Sequence, residues 1–114
     1  MPAVPEPTIA AGHAFFFGLG YTALRLARRL KAAGWQVSGT VRDAGKAAAL
    51  AAGEGIEVRA FDGTAPMANR SFDGITHVID SIPPTAEGAP PLLHHAADLR
   101  ACPSLRWVGY LSTP

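Results

Sequence analysis

A strand-like apolar run that leads straight into two glycines constrains the fold of this chain more than any other feature. The run AFFF occupies residues 14–17 and ends at Gly18, and Gly20 follows two positions later. An apolar run without polar alternation is typical of a strand buried on both faces, as in parallel sheets. From Leu19 onward the apolar residues recur at helical spacing, with arginines on the opposite side. The pattern predicts a buried strand, a tight turn and an amphipathic helix.

The rest of the chain alternates predicted strands and helices in the same way. Gly34 is placed to end the first helix in a left-handed conformation. Asp43 can cap the second helix, which Gly53 is expected to break. Residues 64–74 fit either a short helix or an irregular crossover. The later predicted strands cover residues 35–41, 56–61, 76–82 and 105–111, and the third helix covers residues 90–101.

This order of elements predicts a parallel sheet. The order is β-α-β-α-β, a crossover, and β-α-β, and right-handed crossovers turn it into five strands arranged 3-2-1-4-5. The expected fold class is therefore α/β, a Rossmann-type doubly wound sheet. A chain of 114 residues suffices for one such domain. We expect residues 13–114 to form it and the proline-rich residues 1–12 to be a flexible tail.

Composition argues against several classes of partner. Ten basic residues balance nine acidic ones, so the net charge of +1 gives no electrostatic case for nucleic acid or an anionic membrane. No apolar run reaches the roughly 18 residues that a membrane span requires, and the N-terminus does not resemble a signal peptide. Cys102 is the sole cysteine, which fits a reducing compartment. We expect a cytoplasmic protein without a metal site.

The glycine turn matches a phosphate-binding pattern. Residues 18–23 read GLGYTA, which fits G-x-G-x-x-G/A between a strand and a helix. Gly18 permits the tight turn, Gly20 leaves the backbone open to a pyrophosphate, and Ala23 lets the helix pack closely on the strand. The helix N-terminus adds free N–H groups and a positive dipole end. A plain strand-to-helix turn is the alternative, and the context favours a dinucleotide site.

The end of the second predicted strand bears on the choice of dinucleotide. NAD-selective domains usually carry an acid about 20 residues beyond the glycines, where it binds the ribose 2′-hydroxyl. Residues 38–43 read SGTVRD, without an acid at the strand end. Arg42 and Lys46 instead offer two cations one helical turn apart, which suit a 2′-phosphate. We expect NADP, with NAD as the alternative because Asp43 is adjacent. The structural interpretation of Arg42 and Lys46 is a solvated basic start of the second helix.

Other polar residues have both functional and structural interpretations. His94 and His95 point about 100° apart on a helix, so they do not chelate one ion easily. His94 and Asp98 share a face, but two ligands make a poor metal site, and we expect an exposed helix face. Asp80 stands at the end of a parallel strand, where a carboxylate either faces the ligand crevice or caps the following loop.

Four local patterns, taken in order, resemble the extended and atypical short-chain dehydrogenase/reductase families, the NAD(P)-dependent epimerases and dehydratases. The similarity extends from about residue 14 to the C-terminus. The patterns are GLGYTA at residues 18–23, GTVR at residues 39–42, DG at residues 62–63 and YLST at residues 110–113.

The resemblance implies roles for particular residues. Asp62 would contact the adenine, residues 81–83 would lie beside the cofactor ribose, and Thr113, with Ser112 as the neighbouring candidate, would assist the substrate as the catalytic hydroxyl. The turn, the strand end and the resemblance together give the candidate cofactor-binding residues Gly18, Leu19, Gly20, Tyr21, Thr22, Arg42, Lys46, Asp62, Ser81, Ile82 and Pro83.

The family pattern also includes a Tyr-x-x-x-Lys motif, in which the tyrosine is the general acid/base. Neither Tyr21 nor Tyr110 is followed by such a lysine. We therefore expect an NAD(P)-dinucleotide-binding domain of an epimerase/dehydratase or reductase-like protein, without turnover of its own. The alternatives are a subunit of an NADP-dependent oxidoreductase or epimerase that another chain completes, and a non-catalytic scaffold.

The last predicted strand suggests a partner. Residues 105–111 are largely apolar, and an apolar edge strand with unpaired backbone groups favours pairing with a second copy. We expect a homodimer through this strand. The alternative is a monomer in which the N-terminal tail covers the edge.

Overall fold

A computed structural model describes residues 11–111, which form five strands and three helices. Residues 1–10 of the predicted flexible tail lie outside the described residues. The candidate catalytic residues Ser112 and Thr113 also lie outside them. In chain order the elements are β1 (His13–Phe17), α1 (Tyr21–Ala32), β2 (Gln36–Val41), α2 (Ala44–Glu54), β3 (Glu57–Ala60), β4 (His77–Asp80), α3 (Pro90–Arg100) and β5 (Trp107–Tyr110).

The five strands form one parallel sheet in the order β3-β2-β1-β4-β5, which confirms the predicted topology. The chain moves outward from β1 through β2 to β3, then crosses back to β4 and continues to β5. The strand order therefore reverses between β1 and β4. In open α/β sheets, ligands bind in the crevice beyond the carboxyl ends of the strands at such a switch point.

Alternate residues of β1 contribute to two separate cores, one on each face of the sheet. Phe16 lies on the face that α1 covers, where Ala23 and Ala27 of that helix pack against it. Phe15 and Phe17 lie on the opposite face, against the β3–β4 crossover and α3. This two-sided burial explains why the run at residues 14–17 contains no polar residue.

Two of the three residues that were predicted to start or end a helix do so in the structure. Gly34 follows α1 with φ of +95°, and the Asp43 side chain caps α2 by accepting a hydrogen bond from the Lys46 N–H. The expectation that Gly53 breaks α2 is wrong, because the helix includes Gly53 and ends at Glu54, with Gly55 as its C-cap. Gly55 adopts φ of +66° and donates its N–H to the Ala51 carbonyl, so it is the residue that needs the left-handed region.

The segment between β3 and β4, residues 61–76, is an irregular crossover without a helix. Apolar side chains fix it from within, because Phe61, Met67 and Phe72 insert into the core beneath α3. Arg59 of β3 binds its far end through the carbonyl groups of residues 69 and 71. The crossover carries Asp62, so its placement decides where that carboxylate lies.

Among the strands that the structure describes, β5 lies at the edge of the sheet and pairs only with β4. Trp107, Val108 and Tyr110 are each about half exposed. The homodimer through this strand stays a prediction. No helix within residues 11–111 is both long enough and apolar enough to cross a membrane.

Candidate functional site

The turn between β1 and α1 is held by the strands on both sides of β1. Gly18 donates its N–H to Oγ1 of Thr40 at 2.9 Å, and Leu19 donates its N–H to the Thr40 carbonyl at 2.8 Å. On the other side, Oγ of Ser81 donates to the Gly18 carbonyl at 2.6 Å. The shape of the turn is therefore fixed by the protein itself.

Gly18 occupies a position that only glycine fits. Its φ is +89°, a region that side chains rarely allow. A Cβ atom there would also lie 2.8 Å from Oγ of Ser81 and 3.1 Å from Cγ1 of Ile82. Ser81 and Ile82, the first two residues of the loop after β4, are thus brought directly against the glycine turn.

Gly20 has the opposite surroundings, because a Cβ atom there would meet nothing within 4 Å. Gly20 is the N-cap of α1, and among residues 11–111 no side chain caps the first turn of this helix. The first-turn N–H groups are therefore available to a ligand. The helix begins at Tyr21, two residues later than the apolar spacing suggested, because Leu19 and Gly20 belong to the turn. The open space and the free donors together suit an anion.

Two residues that support the turn were not among the predicted site residues. Gly39 of β2 is one, because a Cβ atom there would lie 2.7 Å from the Phe16 carbonyl oxygen and 2.8 Å from Cγ of Leu19. The other is Thr40, whose fully buried hydroxyl binds Gly18. The available signal was a glycine inside a buried strand, which often marks a close backbone approach.

Polar groups after β2 and β3 lie at the same edge of the sheet as the turn. Thr64 donates its hydroxyl and its N–H to Oδ1 of Asp62, at 2.7 and 2.9 Å. These hydrogen bonds lower the pKa of Asp62, and the nearby charge of Arg42 lowers it further. Arg42 and Lys46 are exposed, and within residues 11–111 neither forms a salt bridge.

Asp80, at the end of β4, both caps a loop and faces a cavity. It is only 8% exposed, and its Oδ1 accepts a hydrogen bond from the Ile82 N–H at 2.9 Å. Burial raises the pKa of Asp80, and the hydrogen bond from Ile82 opposes that shift. The carboxyl group also lines a mostly apolar cleft of about 260 Å³ between α3 and β5. The capping role that the sequence left open for Asp80 is therefore present, and its place in the ligand crevice stays a prediction.

The exposed helix face expected for His94 and Asp98 is wrong, because both residues are partly buried and the adjacent His95 is fully buried. Its Nε2 accepts a hydrogen bond from the Met67 N–H at 3.0 Å, and its Nδ1 lies 2.9 Å from Oδ2 of Asp98. Burial lowers the pKa of His95, while the hydrogen bond and charge of Asp98 act in the opposite direction. The spacing of buried Pro91, His95 and Leu99 along α3 was the available signal.

The two histidines both contact the crossover and do not form a metal site. His94 donates from Nε2 to the Gly63 carbonyl at 2.9 Å. Among the residues that the structure describes, no cluster of three or more His, Cys, Asp or Glu side chains could hold a metal ion.

Two solved structures resemble this chain over most of its length. A functionally unknown conserved protein from Silicibacter pomeroyi DSS is 38% identical, with a TM-score of 0.72, and the match covers 90% of this chain and 36% of that one. A dipicolinate synthase subunit from Bacillus halodurans is 24% identical, with a TM-score of 0.64, and the match covers 93% of this chain and 32% of that one. The chain has a Rossmann-type α/β fold.

These matches concern one part of longer proteins. This chain spans about a third of the length of each solved chain. No protein-family model matches it, and no curated protein matches its sequence. The second likeness, at 24% identity, supports the fold alone.

Proposed function

We propose that this chain is the NAD(P)-dinucleotide-binding domain of a protein similar to the short-chain dehydrogenases/reductases. The observation that carries the proposal is the glycine turn at the switch point of the sheet. Thr40 and Ser81 hold it rigid from both sides, and the space above Gly20 is open. A pyrophosphate placed there would accept hydrogen bonds from the first turn of α1.

The remaining contacts of the dinucleotide follow from the order of the strands. The adenosine half extends over the ends of β2 and β3, toward Arg42 and Asp62, and the other half extends toward residues 81–83 after β4. The resemblance to the epimerase/dehydratase group supports this direction. Because Tyr21 and Tyr110 lack the lysine of the Tyr-x-x-x-Lys motif, we assign cofactor binding to this domain and no proton transfer.

Replacing Gly20 with valine tests the proposal. The branched side chain would occupy the space that the pyrophosphate needs, so we expect NADPH affinity to fall roughly a hundredfold or more, which is about 2.7 kcal/mol. Gly53→Val is the matched control, because a Cβ atom at Gly53 also meets nothing within 4 Å and Gly53 lies in α2, away from the turn. Titration by nucleotide fluorescence measures both. Equal NADPH affinity in wild type and a folded Gly20→Val variant would refute the site.

NADPH is expected to bind more tightly than NADH. A charge-assisted hydrogen bond from Arg42 to the 2′-phosphate contributes roughly 1.5–3 kcal/mol, about tenfold or more in affinity. Arg42→Ala should remove most of the preference, and Lys46→Ala a smaller part. Arg100→Ala, which removes an exposed cation at the far end of α3, should change nothing. The titrations are run at fixed low salt because salt screens exposed charges. A wild-type preference for NADH would reverse the assignment.

A further inference from the structure

Two adjacent histidines of α3 hold the part of the crossover that carries Asp62. His94 binds the Gly63 carbonyl through Nε2 at 2.9 Å, and His95 binds the Met67 N–H through Nε2 at 3.0 Å. Gly63 directly follows Asp62 in the chain, so the first of these bonds acts one residue from the carboxylate. We call His94 and His95 the histidine clamp.

The partners of the clamp fix whether Nε2 of each ring carries a proton. A backbone N–H can only donate, so Nε2 of His95 carries no proton and its Nδ1–H donates to Asp98. A carbonyl can only accept, so Nε2 of His94 carries the proton that binds Gly63. One ring therefore accepts from the crossover and the other donates to it.

Besides the apolar side chains that insert into the core, the crossover has few hydrogen bonds other than these. Residues 62–71 form no backbone–backbone hydrogen bond with any other residue that the structure describes. Arg59 and Asp98 bind its far end, at residues 69–71. The near end, which carries Asp62, is joined to the rest of the domain by the hydrogen bond that His94 donates to Gly63, the one that His95 accepts from Met67, and the one that Phe61 donates from its N–H to the Val41 carbonyl.

We propose that the histidine clamp positions the turn at Asp62 and Gly63 for the adenosine half of the dinucleotide. The proposal rests on the function proposed above, and it makes His94 and His95 positioning residues that act through Asp62. His95 is packed among the rings of Phe17, Phe61 and Phe72, so the clamp connects the turn to the rigid core. A turn held in one position loses less conformational freedom when it binds a ligand.

His94→Ala is the first test, with 5′-AMP and nicotinamide mononucleotide as probes of the two halves of the dinucleotide. Loss of one hydrogen bond that holds the turn should weaken binding of 5′-AMP and of NADPH by roughly three- to tenfold. Affinity for nicotinamide mononucleotide should not change. His94→Gln should restore the affinity for 5′-AMP, because its amide can donate to the Gly63 carbonyl. Leu92→Ala is the matched control on the same helix, since Leu92 lines the cleft against β5.

A double-mutant cycle separates positioning from general destabilisation. In an Asp62→Ala background, His94→Ala should have no further effect on 5′-AMP affinity, because the group that it positions is absent. Equal losses with and without Asp62 would show that His94 acts by another route. His95→Gln, which keeps an acceptor for the Met67 N–H, serves as the second clamp variant and is expected to bind 5′-AMP as the wild type does.

The possible results distinguish this proposal from the proposed function. If wild type binds NADPH and Gly20→Val does not, but His94→Ala binds 5′-AMP as wild type does, the clamp is refuted and the dinucleotide site stands. If His94→Gln is as weak as His94→Ala, the donated hydrogen bond is not the cause and the clamp is again refuted. If wild type binds neither 5′-AMP nor NADPH, both proposals fail.

Discussion

Replacing Phe17 with alanine should lower the free energy of unfolding by about 3–5 kcal/mol. Phe17 is fully buried at the end of β1, and its ring lies 4.9 Å from that of Phe15 and 5.6 Å from that of Phe61. Its removal would leave a cavity where β1, the crossover and α3 meet. For a domain of this size the loss corresponds to a fall in Tm of roughly 15–30 °C.

Chemical denaturation with urea measures this loss, and Phe17→Leu is the matched control. Leucine keeps an apolar side chain at the site and should cost less than half as much. A loss below about 1 kcal/mol for Phe17→Ala would contradict the packing described here, because burial of a phenylalanine alone contributes more than that. The slope of the denaturation curve shows whether both variants unfold in the same way as wild type.

Gly39→Ala and Gly53→Ala should change stability in opposite directions. At Gly39 the new methyl group would lie 2.7 Å from the Phe16 carbonyl oxygen, and backbone in the middle of a sheet does not yield easily. We expect a loss of about 1–3 kcal/mol. At Gly53 the methyl group meets open space within α2, so the higher helix propensity of alanine should add roughly 0.5–1 kcal/mol.

Thermal unfolding of the two variants beside wild type measures both signs in one experiment. Equal Tm values for Gly39→Ala and wild type would mean that β1 and β2 can separate enough to accept a methyl group. A fall in Tm for Gly53→Ala would mean that the structure requires a glycine at this position of α2.

The strand order could be predicted because its signals are local. The AFFF run, the glycine turn and the change to helical spacing each lie within a few residues of one another, and the handedness of crossovers supplies the rest. The end of α2 could not be predicted as well. A local sequence pattern does not distinguish Gly53 from Gly55. Only the path into β3 requires Gly55 to adopt a positive φ.

The supports of the candidate site were harder to predict because they join distant parts of the chain. Thr40 lies 22 residues from Gly18, and Ser81 lies 63 residues from it. The burial of His95 was hard to predict for the same reason. Its neighbours in sequence are a histidine and an alanine, while its surroundings are aromatic rings from β1 and the crossover. The crossover has no periodic pattern, so its shape follows from these long-range contacts.

Under the proposed function, the anchoring of the glycine turn from both sides of β1 would link nucleotide affinity to the folding equilibrium. Because Thr40 and Ser81 can reach Gly18 only when β2, β1 and β4 are paired, partly folded chains lack the binding surface. Parallel pairings between distant segments form slowly, so we expect this surface to be completed late in folding. A nucleotide that recognises only the completed sheet stabilises it by mass action, by about 2.7 kcal/mol at a concentration one hundred times its Kd. Under the proposed function, bound nucleotide would thus lower the fraction of unfolded domain that is open to proteolysis.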